Sequence, residues 1–300
     1  ITYKIFKFHK LMKIKILIPI YNDWKSVLKL IENIDLILEN SNHDISIFII
    51  NDASTESFQS SKIIYKNLSS IQILNMKKNM GHARCIATGL KYIFENSEFN
   101  FVIPMDGDGE DRPEEIKNFI DMTKNNLNTT IVGNRVKRSE GLFFKTSYLI
   151  HKIITFIFTG KIIKFGNFTC LPKKTVSRLI NDKSSWSSFS GSLTKLEKNL
   201  ISSPSERGLR YFGPSKMNFL NLLIHSFSII AVFKTTVILR SILFYAIYLI
   251  LISNNITFIT AIPLALIVIF AITILRISGR EDINALNNSL SNVDSVESIK

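Results

Sequence analysis

The amino-acid sequence predicts an α/β domain built on a mostly parallel sheet with helices on both faces, followed by an apolar two-helix hairpin. Three observations carry that expectation. Short apolar runs alternate with stretches of helical periodicity, each apolar run stops in polar or small residues, and two long apolar segments lie near the end of the chain. Short β-branched runs read as buried strands, and their alternation with amphipathic helices marks crossover units joining parallel strands.

Lys13 to Ile20 reads as the first strand, and Asp23 can cap a helix whose apolar face is Val27, Leu30, Ile31, Ile34 and Leu38. Residues 45–50 make a second strand ending in Asn51, Asp52, Ala53 and Ser54. A third, residues 71–74, is followed by Asn79 and Gly81, and Gly81 opens a helix carrying Ile86, Leu90, Ile93 and Phe94. The fourth run ends in a knot of carboxylates, FVIPMDGDGEDRPEE from Phe101 to Glu115, and a fifth, residues 130–132, precedes Gly133, Asn134 and Arg135. Ligands of open α/β sheets bind at the carboxyl ends of strands. Tyr21, Asp23, Asp52, Gly81, Asp106, Asp108 and Arg135 are therefore expected along one edge.

Asp106, Asp108 and Glu110 repel one another unless something positive sits among them. Hard oxygen donors suit Mg2+ or Mn2+, and the expected partner is a metal-bound diphosphate. Taken alone, the stretch also fits a solvated acidic turn before a helix, since Pro113 and the following glutamates suit a first helical turn. A calcium loop is excluded because its glycine position is Asp111 and its bidentate glutamate position is Lys117. Neither GxGxxG nor GxxxxGK[ST] occurs, which argues against a dehydrogenase and a P-loop NTPase.

Net charge is +13 and unevenly distributed. Residues 1–134 carry 16 lysines and arginines against 16 acidic residues, whereas residues 135–216 carry 16 against 4. The basic block abuts the apolar C-terminus, which favours anionic lipid or a lipid phosphate over nucleic acid as partner. Cys85 and Cys170 lie far apart with no CxxC, and the five histidines are scattered, arguing against zinc and a disulfide framework and for a reducing compartment. Residues 1–12 read as a basic leader or a misassigned start rather than a signal peptide.

Residues 217–233 suit an amphipathic helix lying in a membrane interface. Thr235 to Ile252 and Ile256 to Leu275 each approach the roughly 20 residues that a bilayer core requires, joined only by Ser253, Asn254 and Asn255. Arg240 is expected to snorkel. Lys234, Arg240, Arg276 and Arg280 flank the open side of this hairpin, so the α/β domain and the C-terminus are expected in the cytoplasm at the cell membrane. A buried helical pair in a soluble protein is the alternative. Residues 281–300 read as a polar, disordered tail.

In this order and spacing, IPIYND, INDAST, NMGHARCIATGL, MDGDGEDRPEEI and GNRVKRSEG resemble the successive motifs of glycosyltransferase family 2, which has the GT-A fold. The pattern is closest to the polyprenyl-phosphate sugar transferases, the group of dolichyl-phosphate mannose synthase and undecaprenyl-phosphate glucosyltransferases, and covers Lys13 to Leu275. The resemblance implies a donor half, 13–134, and an acceptor half, 135–216. It implies that Pro19, Tyr21 and Asp52 border the nucleoside base, with Asp23, at a position where the family often has Glu, and Gly81 also on the donor side. Asp106 and Asp108 are the implied DxD pair, Asp108 nearer the metal and Asp106 nearer ribose or sugar. Glu110 stands where relatives carry Gln and adds a metal-ligand candidate; Asn51 stands where many have Asp.

Arg135 and Arg138, with Lys145 and Ser147 near the head of the next helix, resemble positions that hold an acceptor phosphate, for which arginine's planar fork is suited. A solvated basic helix face is the alternative, above all for Lys145. The segment ERGLRYFGPSKMN resembles a further family motif, placing Arg207, Arg210, Ser215 and Lys216 beside donor diphosphate, lipid phosphate or bilayer headgroups. The implied activity is metal-dependent, inverting transfer of a hexose or N-acetylhexosamine from a UDP- or GDP-linked donor to polyprenyl phosphate. Asp106, Asp108 and Arg135 would carry catalysis, in a monomer or a homo-oligomer. A hydroxyl acceptor would require a carboxylate base, for which the basic half offers only Glu140, Asp182, Glu197 and Glu206. A processive synthase is excluded because no QxxRW can be formed from Gln59, Gln72, Trp24 and Trp186. A noncatalytic membrane scaffold on the same fold is the remaining alternative.

Overall fold

The structure is a computed structural model describing residues 11–58, 64–137, 142–214 and 219–300. Its centre is an eight-stranded sheet of order β7-β5-β6-β4-β1-β2-β3-β8. Four strands, β4 (Phe101–Pro104), β1 (Lys13–Ile20), β2 (Asp44–Asn51) and β3 (Ser70–Met76), run parallel. The expectation of a mostly parallel sheet needs one amendment, because β6 (Phe165–Pro172) is antiparallel to both β4 and β5 (Thr130–Lys137). Beyond β5, β7 (Leu200–Glu206) pairs parallel again.

Continuous apolar runs suit strands covered on both faces. Every residue of β1 after Lys13 is buried, and the one charged member, Lys15, places its Nζ 2.9 Å from Ser46 Oγ on the neighbouring strand. On one face, α1 (Trp24–Ile37) buries Val27, Leu30, Ile31 and Ile34 together with Phe119 of α3 (Glu115–Thr123). On the other, α2 (His82–Asn96) packs Ile86, Leu90 and Ile93 with residues of α5 (Lys173–Leu179) and α6 (Phe189–Leu196). Asp23 occupies the N-cap position of α1 without capping it: its carboxylate accepts from Ser26 Oγ at 2.5 Å and from Arg210.

A separate apolar unit follows. In it α4 (Leu142–Thr159), α7 (Phe219–Ala231), α8 (Lys234–Ile252) and α9 (Phe258–Ser278) pack around Ile230, Val237 and Ile274, with Phe158 and Phe270 rings 4.5 Å apart. Both α8 and α9 are long and apolar enough to cross a membrane, and most of their surface lies outside the protein core. The joining turn is longer than expected, because Thr257 begins α9 with a capping box to Thr260. Leu149, Ile150, Ile153, Phe156 and Ile157 give α4 an exposed apolar face as well, as Leu220, Leu223 and Ile224 do for α7. Arg240 has a partner within the protein. It donates to the carbonyls of Phe156 and Ile157, at 3.2 and 2.6 Å, and so caps the C-terminus of α4.

The expected disordered tail is corrected. Residues beyond α9 form α10 (Ile283–Asn287), whose Leu286 is buried against Ala87 and Trp186, and β8 (Val293–Ser298), antiparallel to β3. An edge strand needs backbone partners rather than apolar side chains, so a polar composition does not forbid it. Asn75 on β3 reinforces the pairing by donating to Ser295 Oγ at 3.0 Å and Glu297 Oε1 at 2.6 Å.

Candidate active site

The strand ends come together as expected. Just beyond β4, Asp106 receives Asn167 Nδ2 at 3.1 Å and lies 3.3 Å from His82 Nε2, and Asn167 Nδ2 and His82 Nε2 are themselves 2.7 Å apart. Burial works against the Asp106 carboxylate, but His82, Arg135 and Asn167 outweigh it and hold its pKa far below the usual range. Asp111, buried beneath the loop, accepts from the Asp106 backbone N–H at 2.9 Å and lies 3.7 Å from Arg135 Nη2. Burial and the Asp106 charge push its pKa up to about 7.

Asp108 is raised to about 6, by burial and then by Asp106, despite the Glu110 N–H it accepts at 2.9 Å. Its Oδ2 accepts from Arg210 Nη1, while Arg210 Nη2 donates to Asp23 Oδ2 at 2.8 Å. Arg207 is bound to Glu110 in the same manner. Two backbone bonds complete a strap over the acidic loop: Gly208 N to Glu110 O at 2.8 Å and Tyr211 N to Asp108 O at 2.9 Å. Asn33 Nδ2 pins the far side of the Tyr211 ring at its hydroxyl, 2.8 Å away. Close approach requires glycine here, since a Cβ on Gly208 would lie 2.7 Å from Gly109 O.

Pro19, Tyr21 and Asp52 border one small cleft of about 100 Å³ with His82 and Cys85. The Asp52 carboxylate is engaged by the backbone N–H groups of Met80, 2.6 Å, and Gly81, 2.9 Å, so it fixes the turn into α2. Ala53 beside it adopts φ +55, a conformation side chains resist and one that clusters at functional sites. Gly81, at φ +88, supplies the N-cap of α2. Arg135 lies against Gly166, where a Cβ would sit 3.1 Å from Nη2.

Several expected residues are not joined to this set. Arg138, Ser215 and Lys216, with the side chains of Lys145 and Ser147, lie outside the described residues. Glu110 turns to Arg207 and does not complete a triad with Asp106 and Asp108; among the described residues no three Asp, Glu, His or Cys side chains are grouped to hold a metal. The donor set still fits a divalent cation shared with a diphosphate. Its oxygens are hard, burial and then the nearby Asp106 charge make Asp108 and Asp111 more avid for a proton, and Mg2+ ordinarily takes one or two carboxylates plus substrate phosphates. Sequence reasoning missed Asp111, His82 and Asn167. It also missed His225 of α7, which lies within electrostatic reach of His82, Asp106, His151 and Arg135 despite its solvent access.

Fold and site together define a nucleotide-sugar transferase of GT-A architecture. The chain belongs to glycosyl transferase family 2, whose model matches residues 15–182. Among solved structures, it is similar to glucosyl-3-phosphoglycerate synthase from Mycobacterium tuberculosis in complex with Mn2+, UDP and glucosyl-3-phosphoglycerate. That likeness has TM-score 0.52 at 10% identity, over 75% of this chain and 80% of that one. It is also similar to residues 1–349 of TarS from S. aureus in complex with UDP-GlcNAc, with TM-score 0.50 at 13% identity, over 94% of this chain and 88% of that one. At such identities the likeness is one of fold.

Proposed function

We propose that this chain is a membrane-bound, inverting glycosyltransferase that moves a sugar from a UDP- or GDP-linked donor to a polyprenyl phosphate at the cytoplasmic face of the cell membrane. The observation that carries the reading is that one chain joins an apolar unit, in which α4, α7, α8 and α9 leave large apolar residues exposed, to an acidic site where the Arg135 guanidinium lies 3.7 Å from Asp111. An acceptor with a lipid tail and a phosphate head suits a site where an apolar platform meets a cationic strand end.

In this reading Asp108 and Asp106 hold a divalent cation, which supplies positive charge against the departing diphosphate. Arg210 and Arg207, already directed at the acidic loop, add to that charge. Arg135 orients the acceptor phosphate, one of whose oxygens bonds to the anomeric carbon as the bond from that carbon to the diphosphate breaks on the opposite face. The attacking oxygen is already anionic, so no base is needed. In keeping with that, the candidate bases among the described residues are occupied: Asp182 pairs with Lys195 at 3.0 Å, Glu197 with Arg178 at 3.1 Å and Glu206 with Arg112 at 3.3 Å, while Glu140 lies outside the described residues.

The test is Arg135→Gln in the full-length protein, with separate titrations of donor and acceptor. The expected result is an acceptor KM raised about tenfold or more with little change in donor KM, the signature of one lost charge-assisted contact. An unchanged acceptor KM would remove Arg135 from the reading.

A further inference from the structure

The C-terminal segment encloses a second cavity, separate from the donor cleft. Its volume is about 330 Å³, within the roughly 300–1,000 Å³ of small-ligand sites. One wall is the turn between β3 and α2, with Lys78 and Met80. A second is the first turn of α2, with Arg84, whose guanidinium stacks 5.4 Å from the centre of the Trp186 ring. The third is the link from α9 to α10, with Arg280 and Asp282. Three cations face one carboxylate, and Asp282 is occupied as the N-cap of α10, accepting from Ala285 N at 2.9 Å.

The cations are only partly offset, by the charges of Asp282 and Asp52 near Arg84. Among the described residues, Lys78, Arg84 and Arg280 form no ion pair, and buried Arg84 Nε has no hydrogen-bond partner. A buried N–H left unpaired costs free energy that a ligand oxygen would recover. Burial and then the neighbouring Arg280 charge lower the Arg84 pKa against the raising influence of Asp282 and Asp52. Arginine forks in excess of carboxylates around a polar cavity are suited to a tetrahedral oxyanion.

The cavity's location points to the source of such an anion. Arg280 stands two residues past the end of α9, and its Nη1 reaches Ser228 Oγ of α7 at 3.4 Å. Lys234, at the start of α8, ion-pairs with Glu281 at 3.2 Å beside it. The cavity therefore lies at the foot of the hairpin, level with both helix ends. If the hairpin spans a bilayer, that level is the cytoplasmic headgroup layer, where anionic lipids gather.

We propose that this cavity binds a phosphate group, supplied by the headgroup of an anionic phospholipid. The lipid source rests on the membrane reading above; the phosphate chemistry does not. Met80 lines the cavity while its backbone N–H is held by Asp52 in the donor cleft, so an occupant braces the turn that leads into His82.

The test uses the full-length protein in detergent. Thermal unfolding and native mass spectrometry follow titration with phosphatidylglycerol, phosphatidylcholine or inorganic phosphate, for wild type, Lys78→Gln and Arg280→Gln. Both substitutions are at exposed positions, and circular dichroism checks that the fold is kept. Phosphatidylglycerol is expected to bind and raise the unfolding midpoint where phosphatidylcholine does not, and each variant is expected to weaken that binding about tenfold. Equal response to inorganic phosphate would support the phosphate site and overturn the lipid as its source. Unaltered phosphatidylglycerol binding in both variants would overturn the proposal. Absence of sugar transfer to polyprenyl phosphate, with the lipid response intact, would refute the proposed function and leave this site standing.

Discussion

Arg210 donates to the Oδ2 of Asp108, so the carboxylate proposed above to hold a metal is tied to an arginine near the end of the basic half. The pairing restrains a group whose pKa burial and Asp106 have already raised to about 6. Metal and proton compete for the same oxygens. Donor kcat/KM is therefore expected to fall as pH drops through about 6, and Arg210→Ala, which removes a lowering influence, should move that fall to higher pH. A pH profile of both enzymes with donor limiting checks the direction; a shift to lower pH would contradict it.

His82 gives a stability test with the opposite sign. Lost solvation lowers its pKa, but the Asp106 hydrogen bond and charge, with Asp111 and Asp108 beyond, raise it above 6.5 overall. A group more basic when folded adds stability that is fully present below its unfolded pKa and lost as pH rises through its folded pKa. Thermal melts from about pH 6 upward should show wild type losing stability that His82→Gln lacks throughout. Parallel curves would mean that the His82–Asp106 contact contributes nothing.

Gly109 tests the strap. It sits at φ +89, and a Cβ there would lie 2.5 Å from the Tyr211 ring. Gly213, at φ +66, has open space around it. Gly109→Ala therefore combines roughly 1–2 kcal/mol of backbone strain with a clash, whereas Gly213→Ala carries only the strain. Limited proteolysis between residues 207 and 214 should accelerate in the first variant far more than in the second, and the donor KM should rise with it.

Removal of residues 293–300 strips β8 from β3. The exposed edge should lower the unfolding midpoint by several degrees, at roughly 2–4 °C per kcal/mol lost, and promote association between chains. Differential scanning calorimetry and light scattering measure both. An unchanged midpoint would show that β8 adds no stability.

Elements governed by local pattern are legible in the sequence itself. The parallel strands β1 to β4, the apolar faces of α1 and α2, and the strand-end positions of Asp52, Asp106 and Asp108 follow from short-range periodicity and the geometry of α/β sheets, whereas Arg135 lies inside β5, which runs on to Lys137 rather than stopping at Val132. The antiparallel entry of β6 between β4 and β5 is not, because sheet order is a long-range choice that no local pattern records. The same holds for His82 with Asn167 and for Arg210 with Asp108, whose partners are far apart in the chain. The tail departs from expectation for a different reason: low hydrophobicity predicts disorder, but β8 is held by backbone pairing and α10 by Leu286 and Ala285 packed on Ala87 and Trp186 and by Lys91 Nζ donating to the Asn287 carbonyl. Arg240 reads as an interruption of an apolar helix because its use, capping α4, lies on another helix.

The central claim is a phosphate-bearing lipid acceptor at a metal-assisted donor site. It is tested most directly with the full-length protein in lipid nanodiscs, supplied with labelled UDP- and GDP-sugars and either polyprenyl phosphate or the corresponding polyprenol, with Mg2+ or with EDTA. The expected result is label entering lipid only with polyprenyl phosphate and Mg2+, and at least about a hundredfold less with Asp108→Asn. Label entering only polyprenol or a lipid-linked saccharide, or undiminished transfer by Asp108→Asn, would contradict it.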